Sequence, residues 1–364
     1  MFLKEALFYA KMPDGRVLCT LCPHDCKIAE DKRGICGVRF NEGGVLYSLV
    51  YDKIVSRNLD PIEKKPLFHF QPGSTSYSIA TVGCNMRCAF CQNWEISQVP
   101  KGKISLEEKV NPEAPGLVCP QLEAAEERVM GEAMTPQQIV DAALSTGAKS
   151  IAYTYTEPTI FYELAYDTAI LAKAKGLKNV FVTNGFISEK PLRQISTVLD
   201  AANVDLKFFK DENYKRIAGA RLGPILEAIH LYRELGVWIE VTTLVIPGLN
   251  DSKEELSQIA AFVCSVGPEV PWHVTRFYPA YHMMDRGRTP VSTLHSPRKI
   301  GFEAGLRYVY EGNVPGEGGE NTYCYVCKAL LINRYGFFVY ENRIKNSRCP
   351  NCGAVIDGVE MDGG

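Results

Sequence analysis

Six short apolar runs, at 77–82, 150–155, 179–182, 203–206, 238–246 and 272–277, alternate with segments of helical spacing along the middle of the chain. This alternation constrains the fold more than any other feature. Strand, helix, strand repetition demands a parallel sheet with helices outside it, because a parallel connection must cross over the sheet. The helical segments are 161–175, 189–199, 224–235 and 252–266, together with one opened by Thr135-Pro136 and stopped at Gly147. At its start a threonine N-cap precedes a proline in the first turn. Six such units predict an α/β fold of the partial (β/α)6, TIM-like barrel kind. Functional groups are then expected at the carboxyl ends of the strands.

Outside this region the composition changes. Residues 1–72 form a cysteine-rich leader that ends in the turn-like Gln71-Pro72-Gly73-Ser74. Residues 73–312 hold the alternating units, interrupted by a polar, proline- and glutamate-rich insertion at 98–134 that reads as a lid or partner surface. A glycine-rich stretch, Gly316-Glu317-Gly318-Gly319, leads into a final small module spanning 313–364. A net charge of -2 without Lys/Arg runs argues against nucleic acid as a partner. The first ten residues include Lys4 and Glu5 and lack a small-residue cleavage site, and no apolar stretch reaches membrane-spanning length. A cytoplasmic protein is expected, peripheral at the membrane if its substrate is lipid.

Eleven of the 13 cysteines fall into three groups, a distribution that favours metal over disulfides. Cys84, Cys88 and Cys91 lie in the loop after the first strand. Three thiolates leave one iron of a [4Fe-4S] cluster open, as a catalytic metal site requires, whereas a structural zinc site would need a fourth ligand. Cys324, Cys327, Cys349 and Cys352 form two Cys-x-x-Cys knuckles, the second followed by Gly353, separated by strand-forming residues. They predict a tetrathiolate holding mononuclear zinc or iron, in a zinc ribbon or a rubredoxin-like module. Cys19, Cys22, Cys26 and Cys36 are less regularly spaced and fit an auxiliary [4Fe-4S] cluster or a zinc site.

The triad motif, with Phe90 just before its last cysteine, resembles that of radical S-adenosylmethionine (SAM) enzymes. The likeness extends through Cys19-x-x-Cys22-Pro23-x-x-Cys26, Asp60-Pro61-Ile62-Glu63-Lys64-Lys65-Pro66-Leu67, Cys91-Gln92-Asn93-Trp94-Glu95, Thr154-Tyr155-Thr156-Glu157-Pro158 and Arg276-Phe277-Tyr278-Pro279. Across its whole length the chain resembles the radical SAM enzymes of the AmmeMemoRadiSam system, relatives of the pyruvate formate-lyase activating enzymes. It departs from them in the long 98–134 insertion, and in Val182, which stands where the activating enzymes often carry aspartate.

The resemblance implies that the triad cluster chelates SAM at its open iron. It implies that Phe90 lies against the adenine, that Glu157 accepts from the methionyl amine, and that Asn184, Asp205, Lys207 and His273 complete the cofactor site. It further implies reductive cleavage of SAM to a 5′-deoxyadenosyl radical, with an external one-electron donor of the flavodoxin or ferredoxin type. Three uses remain open at this point. The first is hydrogen abstraction from an unactivated carbon leading to carbon-carbon bonds between lipid chains of the archaeal tetraether kind. The second is installation of a glycyl radical on a partner protein. The third is a zinc-organised binding module without catalysis.

Overall fold

The structure is a computed structural model that describes residues 4–101 and 129–362. Most of the 98–134 insertion therefore lies outside the described residues. An eight-stranded sheet dominates the fold. Its strands are β1 (Ser56–Pro61), β2 (Thr75–Ala80), β3 (Ser150–Tyr153), β4 (Lys178–Thr183), β5 (Ala201–Asp205), β6 (Trp238–Val245), β7 (Trp272–Arg276) and β8 (Val309–Gly312). They neighbour one another in chain order, with β1 antiparallel to β2 and all later pairs parallel. The sheet is thus wider than the six predicted strands by one at each edge.

Consecutive order with right-handed crossovers places the helices on one face. The crossover helices between successive strands from β2 to β8 are α1 (Pro136–Ser145), α2 (Tyr162–Ala174), α3 (Glu189–Ile195), α4 (Leu222–Glu234), α5 (Lys253–Val266) and α6 (Val291–Glu303). Local chemistry starts α1 where expected. Thr135 Oγ1 accepts from the Gln138 amide while Gln138 Oε1 accepts from the Thr135 amide, closing a capping box, and Gly147 ends the segment at φ +73°. In α5, Ser252 caps the Glu255 amide. The inward sides of α2, α4 and α5, including Leu164, Ile229 and Ile259, join one core with strand residues such as Ile151, Phe181 and Val241.

Residues 4–48 of the leader fold as two small three-stranded antiparallel sheets, while Ser56–Pro61 joins the large sheet as β1. The leader is tied to α2 by a buried bidentate pair in which Arg39 Nη2 lies 2.7 and 2.8 Å from the two Glu163 carboxylate oxygens. Burial works against the Arg39 charge, but Glu163 and the nearby Cys19 and Cys36 hold its pKa above the ordinary arginine value. The C-terminal segment forms a third antiparallel sheet around its own small core of Leu331, Ile332, Ile344, Ile356 and Met361. It docks on the amino-terminal end of the large sheet. Arg307 there makes two 2.9 Å bonds to Asp357, and the Gln71 amide donates to the Val359 carbonyl. Among the described residues no helix is long and apolar enough to cross a membrane.

Candidate active site

The loop after β2 carries the triad. Its backbone is held at both ends: Gly83 N donates to Ile96 O, and the Arg87 and Ala89 amides donate to the Ala218 and Ile217 carbonyls. These bonds fix a short loop that would otherwise lack backbone partners. Cys84, Cys88 and Cys91 all line one cavity of about 530 Å³ at the carboxyl ends of the strands. The Met86 amide points at Cys84 Sγ from 3.4 Å, and Cys91 Sγ lies 3.3 Å from Ser97 Oγ.

The same cavity gathers five of the six residues expected around a cofactor: Phe90, Glu157, Asn184, Asp205 and Lys207. Lys207 Nζ sits 2.6 Å from Asp205 Oδ2 and 5.7 Å from the centre of the Phe90 ring. Burial works against the Lys207 charge, yet Asp205 and the Cys88 sulfur outweigh it and hold the ammonium well above its usual pKa. Phe90 also meets Phe208 edge-on, which fixes its plane.

Glu157 is placed differently from a residue that simply faces a ligand. It is 1% exposed, and its carboxylate is occupied by the protein's own donors. Oε1 accepts from Thr159 N, Thr159 Oγ1 and Thr183 Oγ1, and Oε2 accepts from Asn184 N at 2.8 Å. Burial raises its pKa, and these donors oppose the rise. Glu157 therefore clamps the loop after β3 to the loop after β4. Asn184, so positioned, donates to Asn85 Oδ1 at 2.9 Å and lies 3.7 Å from Cys84 Sγ.

His273, the sixth expected residue, is not among those that line the cavity. Its ring is buried beneath the cavity, 2.6 Å from Glu240 Oε2, stacked on Tyr310 and edge-on to Phe68. Burial disfavours the Glu240 charge, but His273 and the Phe68 and His69 amides hold the carboxyl below its usual range. Histidine and glutamate here join the sheet interior to the leader's end.

Among the cavity residues that the sequence reading did not name as site residues, Lys64, Lys65 and Tyr155 form a charged group of their own. Lys65 is 1% exposed, 2.6 Å from Asp60 Oδ2, and lies 4.5 Å from the centre of the Tyr155 ring. Lys64 binds the other Asp60 oxygen, and Tyr155, at φ +61°, donates to Asp60 as well. These bonds hold Asp60 ionised against the cost of burial, well below the usual carboxylate range. A non-glycine residue in the left-handed region costs about 1–3 kcal/mol and persists where its surroundings over-determine it. The Asn93 side chain, donating to the Tyr155 carbonyl at 2.7 Å, is one such constraint.

The C-terminal cysteines come together at single-ion spacing. Sγ of Cys324 and Cys352 are 3.6 Å apart, those of Cys327 and Cys349 are 3.7 Å apart, and all four lie within 4.8 Å of one another. A tetrahedron of sulfurs about 2.3 Å from a metal has edges of about 3.8 Å, so the donor set fits one ion. The leader cysteines Cys19, Cys22, Cys26 and Cys36 line a separate small cavity with Arg39. Among the described residues neither they nor the triad gather at the single-ion spacing of the C-terminal four.

The sequence pattern of the radical SAM superfamily matches residues 78–262, a span that starts in β2, contains the triad loop and ends in α5. The chain is 44% identical over 358 residues to an uncharacterized protein of Methanocaldococcus jannaschii, covering 98% of this chain and 99% of that one. It is 22% identical over 187 residues to the pyruvate formate-lyase 1-activating enzyme of Escherichia coli, covering 51% of this chain and 67% of that enzyme. Among solved structures, a radical SAM methyltransferase from Sphaerobacter thermophilus overlaps 67% of this chain and 68% of its own with a TM-score of 0.47 at 16% identity. With the triad at the head of the matched span and the strand-end residues within it, the chain belongs to the radical SAM superfamily.

Proposed function

We propose that this chain cleaves SAM reductively at the triad and uses the resulting carbon radical on a substrate held beside β6, β7 and β8. The carrying observation is the convergence of three thiolates and five strand-end polar or aromatic residues on one cavity. Three thiolates around one cavity suit a cluster, in which each thiolate binds a different iron. When bound there, a [4Fe-4S] cluster with one open iron supplies the electron that breaks the SAM sulfonium bond to the ribose.

The chain's own residues would do the rest. Cys84, Cys88 and Cys91 hold the cluster, and Asn184, fixed by Glu157, donates toward Cys84. The Asp205–Lys207 pair presents both signs of charge to a zwitterionic methionyl group, and the Phe90 face offers a stacking surface for a purine. We read the chain as a leader, a catalytic partial barrel and a tetrathiolate module of zinc-ribbon or rubredoxin kind at 313–364, with the expected leader boundary at 72 moved back ahead of Ser56–Pro61, which pairs into the large sheet.

A second cavity, of about 490 Å³, shares Gln92 and Leu244 with the first. Phe68, Val314 and Phe337 line it together with Arg276, Glu311 and Glu320. Glu311 and Glu320 are already buried and partnered, by His295 and by the Gly316 and Gly336 amides, so Arg276 is the charge a ligand would meet there. A small molecule or peptide segment carrying both polar and apolar parts fits the lining. Anaerobic protein, reconstituted with iron and sulfide and given SAM and dithionite, is expected to form 5′-deoxyadenosine and methionine. Formation that persists in the Cys84→Ala/Cys88→Ala/Cys91→Ala variant would refute the proposal.

A further inference from the structure

We infer that Cys19, Cys22, Cys26 and Cys36 hold a second iron–sulfur cluster, and that this site is the relay through which an electron reaches the triad. The inference rests on the radical reading above and names the route that reading needs. The four thiols line one cavity, yet they do not gather at the spacing that the C-terminal four adopt. A single ion would draw all four to one centre, whereas a cluster spreads them over separate irons. The Arg39 guanidinium in the wall supplies positive charge opposite four thiolates, and its own charge is held by Glu163.

Adjacency to the triad is the second observation. His24, between Cys22 and Cys26, has Nε2 2.7 Å from the carbonyl of Asn85, the residue after Cys84. Gly83, the residue before Cys84, has φ +103°, and a side chain there would meet the Cys36 carbonyl at 3.0 Å and Val38 at 2.8 Å. The chain thus brings the backbone of one cysteine group into contact with that of the other on both sides of Cys84, and glycine is what permits it. Tunnelling falls steeply with the gap, so a bonded route through His24 and Asn85 favours transfer. Cys22 and Cys26, on either side of His24, are partly exposed, while Cys19 and Cys36 are buried, so the group has a solvent side along the edge that also carries the His24 bond. A one-electron donor of the flavodoxin or ferredoxin class would be oxidised by one electron at the solvent side. That electron passes to the triad site, and the leader site ends in the oxidation state in which it began.

The test uses the full chain, purified anaerobically and reconstituted with iron and sulfide. The Cys84→Ala/Cys88→Ala/Cys91→Ala variant, whose leader is untouched, is expected to retain acid-labile sulfide and to lose it when Cys22→Ser and Cys26→Ser are added. The C-terminal tetrathiolate carries no sulfide and does not contribute. Zinc without sulfide in the triad variant would overturn the inference. Electron paramagnetic resonance of the fully reduced wild type is expected to show a leader signal broadened by the neighbouring triad cluster, narrowing in the triad variant. A leader signal identical in the two proteins would overturn the relay. Sulfide retained in the triad variant, beside a wild type that forms no 5′-deoxyadenosine, would refute the radical reading and leave the leader cluster standing.

Discussion

Glu157 distinguishes a ligand from an organiser. In a Glu157→Gln variant the new amide nitrogen must replace one of two oxygens, and the less crowded is Oε2, which accepts only from the Asn184 amide at 2.8 Å. Two donors would then face each other across that gap. The unpaired amide costs about 1–3 kcal/mol, and the three bonds on Oε1 each lose about 1 kcal/mol of charge assistance. Relief of the buried charge returns part of this, leaving a net destabilisation of about 3 kcal/mol. With a urea dependence of about 3 kcal/mol per molar, the unfolding midpoint of SAM-free protein should fall by about 1 M. SAM affinity, measured by calorimetry, should fall together with it, because Asn184 loses its anchor beside Cys84. An unchanged midpoint with weakened SAM binding would refute the clamp and make Glu157 a direct contact instead.

His69 is buried between the Asp357 carbonyl and the Tyr310 hydroxyl, and burial lowers its pKa from 6.5 to about 4. The unfolded chain therefore takes up the proton first, so stability should fall by about 3 kcal/mol as pH drops from 6.5 to 4, and stability-against-pH curves should flatten over that window in His69→Gln. If the C-terminal four hold the single ion their spacing fits, a chelator should abolish amide-exchange protection across Leu330–Tyr335, the central strand of that module, while β2–β7 stay protected; retained protection would show that the module folds without metal. Gly83→Ala, in the left-handed region and against Val38 and the Cys36 carbonyl, should cost at least about 2 kcal/mol in denaturant unfolding. Arg39→Met, which strands the buried Glu163 carboxylate, should cost about 3–5 kcal/mol, and Arg39→Met/Glu163→Leu should cost less than the sum of its single changes.

The six inner strands were legible because a strand buried on both faces must be a nearly unbroken apolar run. The two edge strands were not. Ser56–Pro61 is mostly polar with one face half exposed, and Val309–Gly312 is four residues long and runs into a glycine-rich stretch. The triad could be read from spacing alone, since its ligands lie within one loop. The Asp60, Lys65 and Tyr155 group could not, because its members meet only through the antiparallel pairing of β1 with β2 and through the loop after β3. The C-terminal four were recognisable as a candidate metal group from their knuckles, and their sulfur spacing fits a single ion. That the leader four share one cavity with Arg39 emerges only from the fold.

His273 shows how period two marks the inward face of a strand without giving depth along it. Alternate residues point the same way, and two residues advance the chain by about 6.6 Å. On β7, Thr275 lines the cavity and His273 lies one step deeper; on β6, Thr242 and Leu244 line it and Glu240 lies below. Asn203 occupies the same lower layer of β5, accepting from Thr242 Oγ1 at 2.9 Å and donating to the Pro66 carbonyl. The lower layer therefore ties the leader's end into the sheet, through Pro66 at Asn203 and through the Phe68 and His69 amides at Glu240. The upper layer, with Asp205, Lys207 and Asn184, faces the cavity. An inward polar residue at the carboxyl end of its strand is available to a ligand, and the same residue two positions earlier is consumed by the scaffold. By this rule His273→Gln should lower stability through the exposed need of Glu240 for a partner, and should leave the cavity lining around Cys84 in place.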